Sequence, residues 1–240
     1  MTRKAAPRPA PAPRPAPAPR PAPGPAEASP ADASPEGTER VRLWDPMLRV
    51  YHWLLAGLVI LNWCLGKFGP DSMSLHFWCG YAIAALLVFR VIWGIAGPRS
   101  ARFSNFVTGP RGIVGYGRGL FRREPSYWRG HNPLGALSVI AMLVVLAGQV
   151  GAGLISDPDD FVNVGPLADK VSGATSSAAV GWHHFGADVI LILVILHVGM
   201  IAYYRIWKRE DLVAPMITGW KTVMRDDRDH RNDRDDRGRP

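Results

Sequence analysis

The sequence predicts an all-α fold, an integral membrane four-helix bundle with disordered N- and C-terminal tails. Three observations predict it. The 240-residue chain is 48% hydrophobic with a mean hydropathy near zero, yet its apolar and charged residues are segregated along it. Uncharged apolar runs long enough to cross a bilayer occur four times. The basic residues crowd into alternate connecting segments, as they do in multi-pass membrane proteins.

Residues 1–40 read as a tail. Twelve of the 22 prolines lie before residue 36, in a Pro/Ala/Arg repeat from Pro7 to Pro25. Such a segment cannot bury enough apolar surface to offset chain entropy, and its composition favours polyproline II. Residues 41–224 form one membrane domain. Seventeen uncharged residues separate Arg49 from Lys67, 18 separate Asp71 from Arg90, and 27 separate Arg129 from Asp157. From Lys170 to Arg205 only Asp188 interrupts. At about 1.5 Å per residue each run spans a hydrocarbon core of about 30 Å, which predicts helices over 50–68, 76–96, 133–155 and 182–204. Helices of a soluble bundle would carry a polar stripe, and these carry none. The first span follows a proline-rich tail rather than a short cleavable leader, so it is expected to act as an uncleaved signal anchor. Residues 225–240, with six Arg and six Asp, read as a second tail.

Charge orients the bundle. The chain up to Val50 has eight Lys/Arg against five acids, and the second loop, residues 97–130, has seven Arg against one Glu. The third loop has Asp157, Asp159, Asp160 and Asp169 against Lys170. The positive-inside rule then places both termini and the second loop in the cytoplasm of a bacterial inner membrane. A polybasic loop on anionic lipid accounts for the net +8 without nucleic acid, for which no folded binding motif is present.

Two cysteines, Cys64 and Cys79, exclude a four-thiolate iron–sulfur cluster, and neither stands in a Cys-x-x-Cys-His haem attachment site. They read as small apolar core residues or as a pair near one membrane face. Six of the seven histidines lie at or inside the spans: His52, His76, His131, His183, His184 and His197. Histidine in hydrocarbon is costly unless bound to something. His183 and His197 are 14 residues apart, within about 40° of one helix face and about 21 Å apart in depth. His76 is level with His183 at the outer end, and His52 is level with His197 at the inner end. Facing imidazoles at two depths are what two b-type haems need for axial ligation.

Arg90, 14 residues beyond His76, either meets a haem propionate or snorkels to the interface. Gly80 and Gly94 either admit a flat macrocycle or serve helix packing. His131, in the turn before the third span, reads as a capping residue or as a contact to a propionate or quinone headgroup. Asp188 is turned away from His183 and is expected to pair with a neighbouring helix or with water rather than with a metal. Trp44, Trp53, Trp78, Trp93, Tyr203, Tyr204 and Trp207 read as an interfacial belt.

The runs Arg49-Val-Tyr-His-Trp-Leu, His76 followed by Gly-Tyr and Phe-Arg90-Val-Ile-Trp-Gly, Ala101-Arg-Phe, Gly130-His-Asn-Pro-Leu-Gly-Ala, and His183 with His197 fourteen on resemble the bacterial cytochrome b561 family. The branch most similar is the b-type cytochrome subunit of nickel–iron hydrogenases, over about residues 42–222. The resemblance implies a di-haem protein passing electrons between a redox partner and the quinone pool, with ligands at His52, His76, His183 and His197. His184 stands where that family often has an acid, so the outer ligand is His183 or His184, and the 14-residue spacing favours His183. Iron with both axial positions filled exchanges electrons and activates no substrate. The expected partners are lipid, quinone, and a hydrogenase-like complex or c-type cytochrome. Two other readings stand beside it, a superoxide:quinone oxidoreductase acting at the haem edge and a histidine-based metal transporter or sensor.

Overall fold

The computed structural model describes residues 38–70, 73–107, 109–123, 128, 130–159 and 162–224. Four long helices cross the domain: α1 (Pro46–Phe68), α2 (Ser74–Ala96), α4 (Pro133–Ile155) and α5 (Gly173–Ile206). Two short helices, α3 (Pro110–Arg118) and α6 (Val213–Thr218), and two strands, β1 (Thr38–Arg42) and β2 (Trp220–Met224), complete it.

Local sequence starts the helices. Asp45 Oδ1 accepts from the Leu48 amide at 3.0 Å and Pro46 opens the first turn of α1. Asn132 Oδ1 accepts from the Gly135 amide at 2.8 Å and Pro133 opens α4. Ser172 caps α5 through the Thr175 amide at 3.2 Å. A capping side chain satisfies a backbone donor that has no partner inside the helix, and proline at the first position gives up a hydrogen bond that is not made there anyway.

The outward faces of the spans are apolar: Val88, Ile92 and Ile95 on α2, Val144 on α4 and Ile192 and Ile195 on α5 are exposed. A soluble fold would bury such surface, so the molecule is a membrane helical bundle. Helix α1 packs along α2, α4 packs along α5, and α2 touches α4. The bundle is thus two helical hairpins set face to face.

Several features depart from the sequence expectation. Strand β1 takes in residues 38–40 of the segment read as a tail and pairs antiparallel with β2, Thr38 opposite Met224 and Arg42 opposite Trp220. The remainder of the N-terminal tail and all of residues 225–240 lie outside the described residues. The last span is longer than 182–204, since α5 starts at Gly173. Trp44 and Tyr204 are buried and do not belong to an interfacial belt. The Tyr204 hydroxyl lies 2.6 Å from that of Tyr116 on α3 and accepts from Asn132 Nδ2 at 2.9 Å.

These contacts belong to a cap over one end of the bundle. Tyr203 donates to the Leu120 carbonyl at 3.0 Å, Trp207 to Phe121 at 3.1 Å and Lys208 to Arg122 at 3.1 Å, which fastens the segment after α3 to the end of α5. Arg49 Nη1 donates to the Ile217 carbonyl and Trp53 Nε1 to Met216 at 3.2 Å, which holds α6 against α1. Under the ribbon, Lys221 and Glu210 form a buried ion pair at 3.1 Å.

Candidate functional site

The hairpins bring the histidines together in two layers. His52 on α1 faces His197 on α5 with ring centroids 6.4 Å apart. His76 on α2 faces His183 on α5 at 5.9 Å. Two imidazoles that bond one metal from opposite sides, each nitrogen about 2 Å from it, have centroids about 6 Å apart. Among the described residues no group of three or more His, Cys, Asp or Glu side chains gathers around one point. Each layer thus brings together two imidazoles at a spacing that would suit one metal whose other positions are filled by a group of its own.

The His76/His183 layer opens on a cavity of about 270 Å³ between all four spans. Gly80 lies on its wall, and a methyl there would meet nothing within 4 Å. His184 is exposed and lines the same cavity, but the ring that faces His76 is that of His183. Asp188 pairs with Lys67 at 3.2 Å, the inter-helix partnership expected of it. Cys64 is exposed and Cys79 buried, and both are free thiols.

Residues not singled out in the sequence brace this layer. His76 Nδ1 lies 3.1 Å from the Asn62 carbonyl, and His183 Nδ1 lies 3.0 Å from the Gln149 carbonyl. A carbonyl only accepts, so both Nδ1 atoms carry the proton and both Nε2 lone pairs are free for a metal. Helix α4 thus takes part in the site although it carries neither ring. Interior helix glycines, here Gly66 and Gly153 beside the two rings, were the available signal.

The His52/His197 layer adjoins a group of polar atoms without partners. Arg90 is 3% exposed, and its Nη1, the Tyr51 hydroxyl, His52 Nδ1 and His131 Nδ1 are buried with no hydrogen bond among the described residues. Buried polar atoms are normally paired, so a cluster of orphans fits a site for a polar or anionic group. Arg90 is buried here rather than snorkelling to the interface. Its guanidinium carbon lies 4.4 Å from the centroid of the Phe103 ring, in the Ala101-Arg-Phe run. Phe103 also occupies the space beside Gly94, where an added Cβ would stand 2.1 Å from Phe103 Cε2. Gly94 therefore admits an aromatic side chain and not a macrocycle.

His131 does not cap α4, a task that falls to Asn132. Its ring lies edge-on to Trp44 at 4.8 Å and against Phe106 at 4.9 Å. Burial pushes its pKa down to about 3, helped by the positive charge of Arg90 and then of Lys221, so it is neutral at physiological pH.

Residues 43–219 match the family model described as prokaryotic cytochrome b561. The chain belongs to this family. It is a b-type membrane cytochrome that binds haem and works in electron transport. Among curated proteins it is similar to the "Probable Ni/Fe-hydrogenase B-type cytochrome subunit" of Azotobacter chroococcum mcd 1, at 25% identity over 80% of this chain and 95% of that one. The protein of the same name from Azotobacter vinelandii shows the same figures. That from Bradyrhizobium diazoefficiens is 24% identical over 79% of this chain and 90% of its own. No solved structure matches at a significant level. This is the family that the sequence motifs resemble, and the matched range covers all four spans.

Proposed function

We propose that this cytochrome holds two b-type haems, one between His76 and His183 and one between His52 and His197, and passes electrons between a redox partner protein and membrane quinone. The observation that carries the reading is the pair of centroid separations, 5.9 and 6.4 Å, both close to the span of two imidazoles on one metal. Haem b supplies a one-electron couple when bound. The chain's own residues hold and tune it. The two Nδ1–H···O=C bonds turn His76 and His183 so that Nε2 points away from its own backbone brace. Arg90 offers a buried positive charge to a propionate of the inner group, and neutral His131 offers a neighbouring N–H to that propionate or to a quinone carbonyl.

The partner is a hydrogenase-like complex, in line with the names of the relatives, or else a c-type cytochrome. Both termini are cytoplasmic in this reading. In support, β1 before the first span pairs with β2 after the last, and the arginine-rich second loop is bonded to the segment after α5, an end that the positive-inside rule assigns to the cytoplasm of the inner membrane. A reduced-minus-oxidised spectrum of the purified protein with haem quantitation tests the proposal. Two low-spin haems per chain are expected; no haem would refute it, and one would refute the two-layer arrangement.

A further inference from the structure

The two layers are not equivalent in how their histidines are held, and we infer that the chain sets the His76/His183 layer as the lower-potential of its two redox centres, through two glycines that open helix carbonyls to those rings. The inference rests on the di-haem reading above. Asn62 stands four residues before Gly66, and Gln149 four residues before Gly153. In an α-helix the carbonyl of residue i serves the amide of residue i+4, and the Cβ of residue i+4 leans back toward it. Glycine at i+4 leaves that side of the carbonyl bare, and a histidine from the neighbouring helix reaches it.

The distances show how much room this takes. A Cβ at Gly153 would lie 2.9 Å from His183 Cε1 and 3.2 Å from its Nδ1. At Gly66 it would lie 3.3 Å from His76 Cε1 and 3.5 Å from its Nδ1. Alanine at Gly153 forces the His183 ring away from its carbonyl, and alanine at Gly66 displaces the His76 ring by a few tenths of an ångström. The same arrangement thus occurs twice, once on each side of one layer.

An imidazole whose N–H donates to a carbonyl is the more basic ligand and favours the oxidised, more positive metal, which lowers the potential. In the other layer His52 Nδ1 is buried without a partner among the described residues. On that side the buried Arg90 guanidinium interacts with Tyr51, the residue next to His52, and a positive charge there disfavours the oxidised state and raises the potential. At the His76/His183 layer the cation that lines the cavity, Lys67, is paired with Asp188 at 3.2 Å, so ligand basicity and local charge separate the two centres in the same direction.

The test is a potentiometric titration of the haem-loaded full chain and of Gly153→Ala, Gly66→Ala and Gly151→Ala. A methyl at Gly151 meets nothing within 4 Å, which makes it the control on the same helix. Gly153→Ala is expected to raise the lower-potential component about tenfold in its reduction equilibrium, or about 59 mV for one electron. Gly66→Ala raises the same component by less, and Gly151→Ala moves neither. If Gly153→Ala sheds a haem, the component that disappears is the lower one, and Gly66→Ala still reads the shift. The inference is overturned if the higher component responds or is lost, if both move together, or if neither moves while two haems remain bound. Fewer than two low-spin haems in the parent protein would instead refute the di-haem reading.

Discussion

Replacing Gly94 with alanine tests the link between the Ala101-Arg-Phe run and the buried guanidinium of Arg90. The new Cβ would stand 2.1, 2.5 and 2.6 Å from three carbons of the Phe103 ring. Carbon atoms prefer about 3.5–4.0 Å, so the ring has to withdraw by more than an ångström. Overpacking of this kind costs about 1–3 kcal/mol. Loss of the cation–π contact, now at 4.4 Å, adds about 0.5–2 kcal/mol. Alanine in place of glycine inside a helix returns about 1 kcal/mol. The net expectation is a destabilisation of about 0.5–4 kcal/mol, read as a lowered thermal midpoint in detergent. Gly57→Ala, where the methyl meets nothing within 4 Å, should be neutral or stabilising. In a double-mutant cycle, Gly94→Ala should cost almost nothing once Phe103→Ala is present. Full stability of Gly94→Ala alone, or costs that simply add, would refute the reasoning.

Two further outcomes follow from the cap. Lys221 and Glu210 are 7% and 6% exposed, so Glu210→Met alone strands a buried ammonium and is expected to cost about 3–5 kcal/mol, whereas the Glu210→Met/Lys221→Met pair recovers most of it; equal midpoints for the single and double variants would contradict this. At Asp211 burial pushes the carboxyl up, but the Ala214 and Val213 amides and Arg205 outweigh it and the net shift is below the ordinary 3.8. Its contribution is therefore complete above pH 3.8 and lost as pH falls through the lower folded value, so the stability gap between the parent and Asp211→Asn should close on acidification below that point.

The sequence made the spans and the histidine layers legible because both rest on periodicity. Fourteen residues along one helix return to the same face, and the observed pairs, His52 with His197 and His76 with His183, are those that this spacing brings level. The cap was not legible. Strands β1 and β2 are five residues each and lie 177 residues apart from the end of one to the start of the other, and nothing in either shows that the other exists. The braces on His76 and His183 escaped for a different reason. Their acceptors are backbone carbonyls, which every residue has, and only the glycine four residues on distinguishes Asn62 and Gln149. Gly94 was read for the right property, room beside a helix, but its occupant, Phe103, comes from a loop whose path no helical period describes.

The ribbon has a consequence for biogenesis. Thr38 pairs with Met224, so a strand that precedes every span waits for one that follows them all. During synthesis β1 emerges before any span has been inserted and has no strand to pair with until the ribosome has passed all four. Contacts that close such long loops form late and slowly. Ribbon formation is thus a completion step, available only to chains whose final span has entered the membrane and returned the C-terminal segment to the side where the first one waits.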